Sequence, residues 1–319
     1  MRTFLKDPNG DFQSAPGDAA VLTLVNGLYR LREVHGEILT FRADGLLDSL
    51  EDRFGNRVTA TYDANGLLQS LNHNSGAELL FSYDLEGRLI DVADSAGESA
   101  NYTYDGDHLI SVETARGITD YSYLTGNTTL REHAIASISG PDGTRFFLDY
   151  DSLGRLIHTE HDGGENPVDY QYGPGRQLTV TDADGSTVTA FFNDAGRVEF
   201  LQDSLGRQTR YDYDSNNRLS QLILPTGHSQ LFDFCGCGSL MSTIDPRGVE
   251  VSMTYDPEFR QLTSVSDGAR KVTEYARDDN GVLQSIRYAD GSEKSFTTDT
   301  QGNSTGVTDR RGNNIAILL

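Results

Sequence analysis

The sequence predicts an all-β protein, a repeat array of antiparallel β-hairpins of about 21 residues each, running as one long curling ribbon. Three observations predict it. An aromatic column recurs at that spacing, apolar and polar residues alternate ahead of each aromatic, and a glycine follows at a fixed distance.

The column is Phe41, Tyr62, Tyr83, Tyr104, Tyr123, Tyr150, Tyr172, Phe192, Tyr213, Phe234 and Tyr255, with steps of 21, 21, 21, 19, 27, 22, 20, 21, 21 and 21. It fades into Arg277 and Thr298, which keep the spacing and the following acid, Asp278 and Asp299, but lose the aromatic. Two residues before the anchors from Tyr62 onward stand apolar or aromatic residues such as Ala60, Phe81, Tyr102, Leu148, Tyr211 and Met253. One residue before stand Thr61, Ser82, Thr103, Asp149, Asp212 and Thr254, with Phe191 the exception. That alternation is the signature of a strand with one covered face.

Four residues after the anchor comes Gly45, Gly66, Gly87, Gly154, Gly196, Gly238, Gly281 or Gly302, with Asn217 in one place. Glycine and asparagine tolerate the positive φ of a tight hairpin turn. The acids after the anchor, Asp63, Asp84, Asp105, Asp151, Asp214 and Asp256, are of the type that accepts backbone N–H groups across its own turn. In "GRLIDVADSAG" the apolar Leu89, Ile90 and Val92 break parity, which implies a bulge or strong twist in the second strand. Each repeat thus reads as strand, tight turn, strand, looser turn. Roughly a dozen repeats give some two dozen strands, and a sheet that wide must curl, coil or close.

Residues 1–19 form a lead-in, and 20–319 form a single repeat domain without a Pro/Ser-rich linker. The 27-residue step around "LTGNTTLREHAIASISGPDG" is a longer loop, and "NNIAILL" stops partway into a further repeat, so the array reads as truncated. Composition agrees, with Gly 33, Tyr 15, Phe 14 and Trp 0. Against 26 basic residues stand 48 acidic ones, a net charge of −22 that repels phosphates and anionic lipid and excludes nucleic acid as a partner. No apolar run approaches the roughly 18 residues of a membrane span, and "MRTFLKDPNGDFQSAPGDAA" lacks the apolar stretch of a signal peptide.

Candidates for chemistry are few. Cys235 and Cys237 in "FCGCGSL" would sit awkwardly for a disulfide on a strand, whereas a turn at Gly236 permits one; ordinary turn residues, a local disulfide and a metal site all stay open. "GNSTG" (Gly302 to Gly306) matches G-x-S-x-G formally, but no histidine follows it. "HTEHD" offers His158, Glu160, His161 and Asp162, yet an H-x-x-H pair faces opposite ways on a strand. The acid pairs Asp182 with Asp184 and Asp278 with Asp279 fit no calcium-loop pattern. Sequons at Asn101, Asn127 and Asn303 matter only in a eukaryotic secretory route. No metal, cofactor or catalytic residue is expected. The aromatic column chiefly packs, its rival role being a sugar-stacking strip.

"YDANGLL", "YDLEGRL", "YDSLGRL" and "YDSNNRL", each followed by an apolar and acidic stretch, resemble the YD repeat of RHS proteins, a group that includes toxin-complex shell subunits and the teneurins. The stretch from Tyr29 to Asp63 also resembles the start of bacterial RHS arrays, and the resemblance covers roughly residues 20 to 316. It implies a ribbon spiralling into a hollow YD-repeat shell, which encloses a C-terminal toxin in bacterial members and supports cell–cell adhesion in teneurins. The family's "RYYSPDP"-like stretch is absent, and "DPRG" (Asp245 to Gly248) and "DPNG" (Asp7 to Gly10) lack its context, so no cleavage residue carries over. The expectation is a non-enzymatic shell segment whose partners are an enclosed polypeptide cargo or the remainder of the shell, secreted or at the cell surface. The alternative is a surface adhesin that binds carbohydrate or protein.

Overall fold

The computed structural model describes residues 2–14, 18, 20–34, 36–125, 131–257 and 260–317. Among these it has 31 strands and, as its one helical element, a three-residue 3-10 turn at Asp162–Gly164. The chain forms two compact units, one built from residues 1–77 with 230–319 and the other from 78–229. In the second unit each strand from Glu78–Tyr83 to Leu219–Ile223 pairs antiparallel with the next in sequence. In the first unit the same meander runs from Val21–Val25 to Leu68–His73 and again from Ser229–Phe234 to Asn314–Ala316. Phe4–Lys6 and Phe12–Ser14 form a separate small hairpin in the lead-in.

The column aromatics end, or lie one residue inside, the first strand of their hairpins, and each is half-buried while most residues just before them are exposed. The parity break has its cause in the ladder. In the Tyr83 hairpin Leu89 faces Tyr83 and Asp91 faces Ser82, leaving Ile90 as the extra residue of a bulge. The same shift recurs at Phe41, Tyr62, Tyr104, Tyr123, Tyr150, Phe192, Tyr213, Phe234 and Tyr255, and again at Arg277 and Thr298 after the aromatic is lost. Tyr172 is the exception, its ladder running unbroken to Gly173↔Gln177.

One expectation is corrected. The turn between repeats is no looser than the turn after the anchor. At the anchor turn Asp63 N–H bonds the Leu67 carbonyl at 2.9 Å and Gly66 N–H the Asp63 carbonyl at 3.1 Å; between repeats Asp52 and Asn56 bond at 3.0 Å, Gly55 and Asp52 at 3.2 Å. Both hairpin edges therefore carry the same D-x-x-G turn, hereafter the anchor edge and the opposite edge. The 27-residue step is accommodated between Tyr123 and Ile135, closed where Leu124 N–H bonds the Ala134 carbonyl at 3.0 Å.

Little of the chain is enclosed. Its accessible surface is 20104 Å² for 35.0 kDa, against about 13,000 Å² for a compact monomer of that mass. Ala20 is the one buried hydrophobic residue among those described. Ladder bonds and cross-strand pairs within the sheet, more than an enclosed core, hold these units together.

Candidate functional site

The repeat itself is the site, built from a turn, a clamp and a lid. In the turn, the side-chain carboxylate holds two backbone donors: Asp84 Oδ1 accepts from Glu86 N at 3.0 Å and Arg88 N at 2.9 Å, and Oδ2 accepts from Arg88 Nε at 2.7 Å. Asp63, Asp151 and Asp214 repeat the two backbone bonds, and Asp151 and Asp214 also hold the arginine, Arg155 and Arg218. The glycine four residues past the anchor takes φ between 74° and 95°, from Gly196 and Gly281 to Gly238, and Asn217 takes 61°. Two acids depart from this. Asp105 closes a two-residue Gly106–Asp107 turn and pairs with His108, so no carboxylate bridge spans it; Asp256 caps a longer turn through Gln261 N at 3.0 Å.

Alanine would not take the carboxylate's place, but asparagine does: Asn193 Oδ1 accepts from Ala195 N and Arg197 N, each at 3.0 Å. On the opposite edge Asp52, Asp94, Asp203, Asp245, Asp267 and Asp309 make the same pair of bonds. This second column lies eleven residues after the anchors, or twelve at Asp267, and its D-x-x-G spacing, kept everywhere but at Asp267, where Arg270 takes the glycine's place, was the available signal.

The clamp is the tyrosine hydroxyl. Tyr62 Oη donates to the Leu47 carbonyl at 2.9 Å, and Leu47 is the residue opposite Phe41 at the preceding bulge. The ladder between these two strands stops at Ser49↔Thr59, two residues short of Leu47, so the hydroxyl supplies a donor where the ladder has none. Tyr104 does the same to Leu89 at 2.8 Å, Tyr123 to Leu109 at 2.8 Å, Tyr213 to Val198 at 2.8 Å and Tyr255 to Leu240 at 2.9 Å. Burial raises the hydroxyl pKa of Tyr123, Tyr150 and Tyr213. Tyr104→Phe and Tyr255→Phe are each expected to cost about 1 kcal/mol, read as a lower urea midpoint with unchanged strand content; an unmoved midpoint would refute the clamp.

The lid is an arginine of one repeat lying over the tyrosine of the next: Arg88 over Tyr104 at 5.0 Å, Arg155 over Tyr172 at 4.2 Å and Arg197 over Tyr213 at 6.0 Å from the ring centroid. Carboxylate, guanidinium and ring thus link consecutive repeats. The hydroxyls of Tyr62, Tyr104, Tyr123, Tyr213 and Tyr255 are bonded within the sheet, and the rings of Tyr104, Tyr172 and Tyr213 each carry an arginine.

Other candidates disperse. Cys235 and Cys237 are joined as a disulfide, with Cα atoms 5.1 Å apart, because they flank Gly236 inside a turn and not on a strand. Cys235 occupies the aspartate position, its Sγ receiving Ser239 N at 3.3 Å. A loop this small constrains the unfolded chain little, so reduction is expected to lower stability by about 1–2 kcal/mol, measured as a midpoint difference with and without a dithiol. His158 Nδ1 lies 2.7 Å from Asp169, with Glu160 3.5 Å from Nε2; the bond to Asp169 raises its pKa despite partial burial. His161 turns away to pack on Phe146, at 5.3 Å between centroids. Asp162 lies in the 3-10 turn.

Asp184 is lowered to about 2 by the Ser186 hydroxyl and by Asp182, whose own pKa is raised chiefly by sharing a proton with Asp184. Asp278 holds Asn280 N and Val282 N across its turn, with Asp279 at the tip. Ser304 of "GNSTG" opens the strand Ser304–Thr308, and among the described residues no helix follows it. Asn101 lies in Ser99–Asp105, Asn303 Nδ2 bonds Asp299 at 3.0 Å, and Asn127 lies outside the described residues. Among the described residues no three His, Cys, Asp or Glu side chains are placed to hold a metal, and no helix is long and apolar enough to cross a membrane.

A hairpin array with repeated carboxylate turns, bulges and tyrosine clamps defines a structural repeat protein of the YD type. Residues 33–231 match the family described as teneurin YD-shell. The chain belongs to that family, and it is a structural shell segment. It is 27% identical over 181 residues to toxin protein Tse5 of Pseudomonas aeruginosa, covering 56% of this chain and 12% of that protein. It is 28% identical over 130 residues to the probable deoxyribonuclease RhsB of Dickeya dadantii, covering 40% and 9%. The crystal structure of TcdB2-TccC3 shares the fold, with a TM-score of 0.61 at 15% identity over 96% of this chain and 20% of that one.

Proposed function

We propose that this chain is a non-enzymatic stretch of the wall of an RHS-type shell that encloses, and helps deliver, a polypeptide cargo of the toxin kind, in a protein that is secreted or held at the cell surface. The observation that carries it is the surface excess: 20104 Å² of accessible surface with one buried hydrophobic residue among those described suits a partition with two faces. A groove of about 510 Å³ beside Tyr275, Arg277 and Asp279 is open to solvent. The relatives' names as toxins support the cargo, and the fold shared with TcdB2-TccC3 supports the wall.

The test is protease protection in the whole polypeptide that its gene encodes. A cargo segment resistant to protease inside that protein, and cleaved once it is expressed alone, is the expected result; equal sensitivity in both would remove the enclosure role. A glycan array with the same protein is expected to show no saturable binding, whereas binding lost on replacing column tyrosines would establish the adhesin.

A further inference from the structure

Within the first unit, the opposite edge of one stretch already docks on the anchor edge of another. Phe54, at the tip of the Asp52–Asn56 turn, seats on Gly302 so closely that a Cβ there would meet the ring at 2.6 Å. Beside it Arg53 Nη1 donates to the Asn280 carbonyl, and Asn56 Nδ2 to the Gln301 carbonyl at 3.2 Å, across 227 and 245 residues of chain. One knob turn thus spans two consecutive anchor turns. The ring fills the space left by a glycine, and two side-chain donors reach carbonyls on either side.

The Asp203–Arg207 turn has the same build. Asp203 Oδ1 accepts Leu205 N at 3.0 Å and Arg207 N at 2.9 Å, as Asp52 accepts Phe54 N at 2.8 Å and Asn56 N at 2.9 Å. Leu205 stands in the place of Phe54 and is 76% exposed; Arg207, 63% exposed, stands in the place of Asn56, held at Nε by Asp203. The remaining turns of this edge with D-x-x-G or related sequences carry small, polar or charged tips: Ser75, Ala96, Asp142, Asp184, Thr226, Arg247, Ala269, Asp290 and Arg311. The receptor is present on the same molecule, since the anchor glycines Gly45 and Gly196 have open space within 4 Å.

We propose that the Asp203–Arg207 turn docks on the anchor-turn edge of a second copy of this chain, with Leu205 over a turn glycine and Arg207 donating to a neighbouring carbonyl. Knob and receptor are different surfaces, so the contact is heterologous and adds copies head to tail. One turn covers far less than the roughly 1,200 Å² of a stable interface, so the association is weak. Two bodies of charge −22 repel each other, so added salt strengthens it.

Sedimentation velocity of the full chain from about 10 to about 500 µM, at about 0.15 M and about 0.5 M salt, tests this. The weight-average sedimentation coefficient is expected to climb with concentration, more steeply at the higher salt. Leu205→Asp should weaken association roughly tenfold or more, while Leu205→Phe retains it. Aspartate stands at this tip in three sister turns, Asp142, Asp184 and Asp290, so the variant keeps its turn, and matched circular dichroism verifies that. A concentration-independent coefficient, association unchanged by Leu205→Asp, or association abolished by Leu205→Phe would each overturn the proposal. A monomeric result leaves the wall role standing, because that role needs no second copy.

Discussion

Gly302→Ala is expected to destabilise the first unit by about 3 kcal/mol, against about 1 kcal/mol for Gly45→Ala. The two glycines have nearly the same backbone, φ +85° and +87°, so the cost of placing a side chain in the left-handed region is common to both. They differ in surroundings. A Cβ on Gly302 would stand 2.6 to 2.8 Å from three atoms of the Phe54 ring, while one on Gly45 meets nothing within 4 Å. Relief requires the ring to leave its seat, which gives up the packing and disturbs the Asn56 and Arg53 bonds beside it. A double-mutant cycle isolates this part: in a Phe54→Ala background the penalty at Gly302 should fall to that at Gly45. Equal penalties at both glycines in the unmodified protein would show that the contact carries no energy.

Strand content is expected to hold from neutral pH to about 5 and to fall as the pH drops below about 3.8, because the repeated turn carboxylates lose their charge together. Each has a folded pKa below its usual value of 3.8: Asp63 chiefly through Leu67 N–H, Asp151 through the Arg155 guanidinium, Asp214 through Arg218 N–H, Asp245 through Val249 N–H, Asp299 and Asp309 through Asn303 and Asn313. At Asp84 and Asp203 burial works upward, and the bonds to Arg88 and Arg207 outweigh it. A depressed carboxyl stabilises the fold above its unfolded pKa, and that contribution is lost as pH falls through the folded value. The net charge acts with the opposite sign, since self-repulsion from −22 is relieved as pH approaches the isoelectric point near 4.5. Below the isoelectric point the net charge turns positive and its self-repulsion grows again, so substitution at the turns, and not the position of the acid limb, separates their contribution from that of the overall charge. Far-UV circular dichroism against pH measures the limb. Replacing Asp63, Asp151 and Asp214 by asparagine, which keeps the acceptor that Asn193 already uses, should shrink the limb; an unaltered acid profile would locate the sensitivity elsewhere.

The fold class was legible because its signals are local. A 21-residue column, period-2 alternation and a turn glycine each fall within one hairpin, and even the bulge showed as the misplaced parity of Ile90. The second turn column was present as D-x-x-G at Asp52, Asp94, Asp203 and Asp245, but without an aromatic ahead of it the spacing passed as looser connection. Longer-range features could not be read. Which carbonyl receives the Tyr62 hydroxyl depends on where the previous ladder stops, and which ring Arg88 covers depends on register between repeats. The state of Cys235 and Cys237 turned on whether Gly236 bends the chain, and the seating of Phe54 on Gly302 joins segments separated by most of the sequence.

Each tyrosine clamp refers only to the hairpin immediately before it. A gene that duplicates or drops one whole unit would therefore leave every surviving hydroxyl with a carbonyl to grip. Such a chain can grow or shrink by unequal recombination in steps of a single module, so variation in length among related genes is expected to fall on whole multiples of the period.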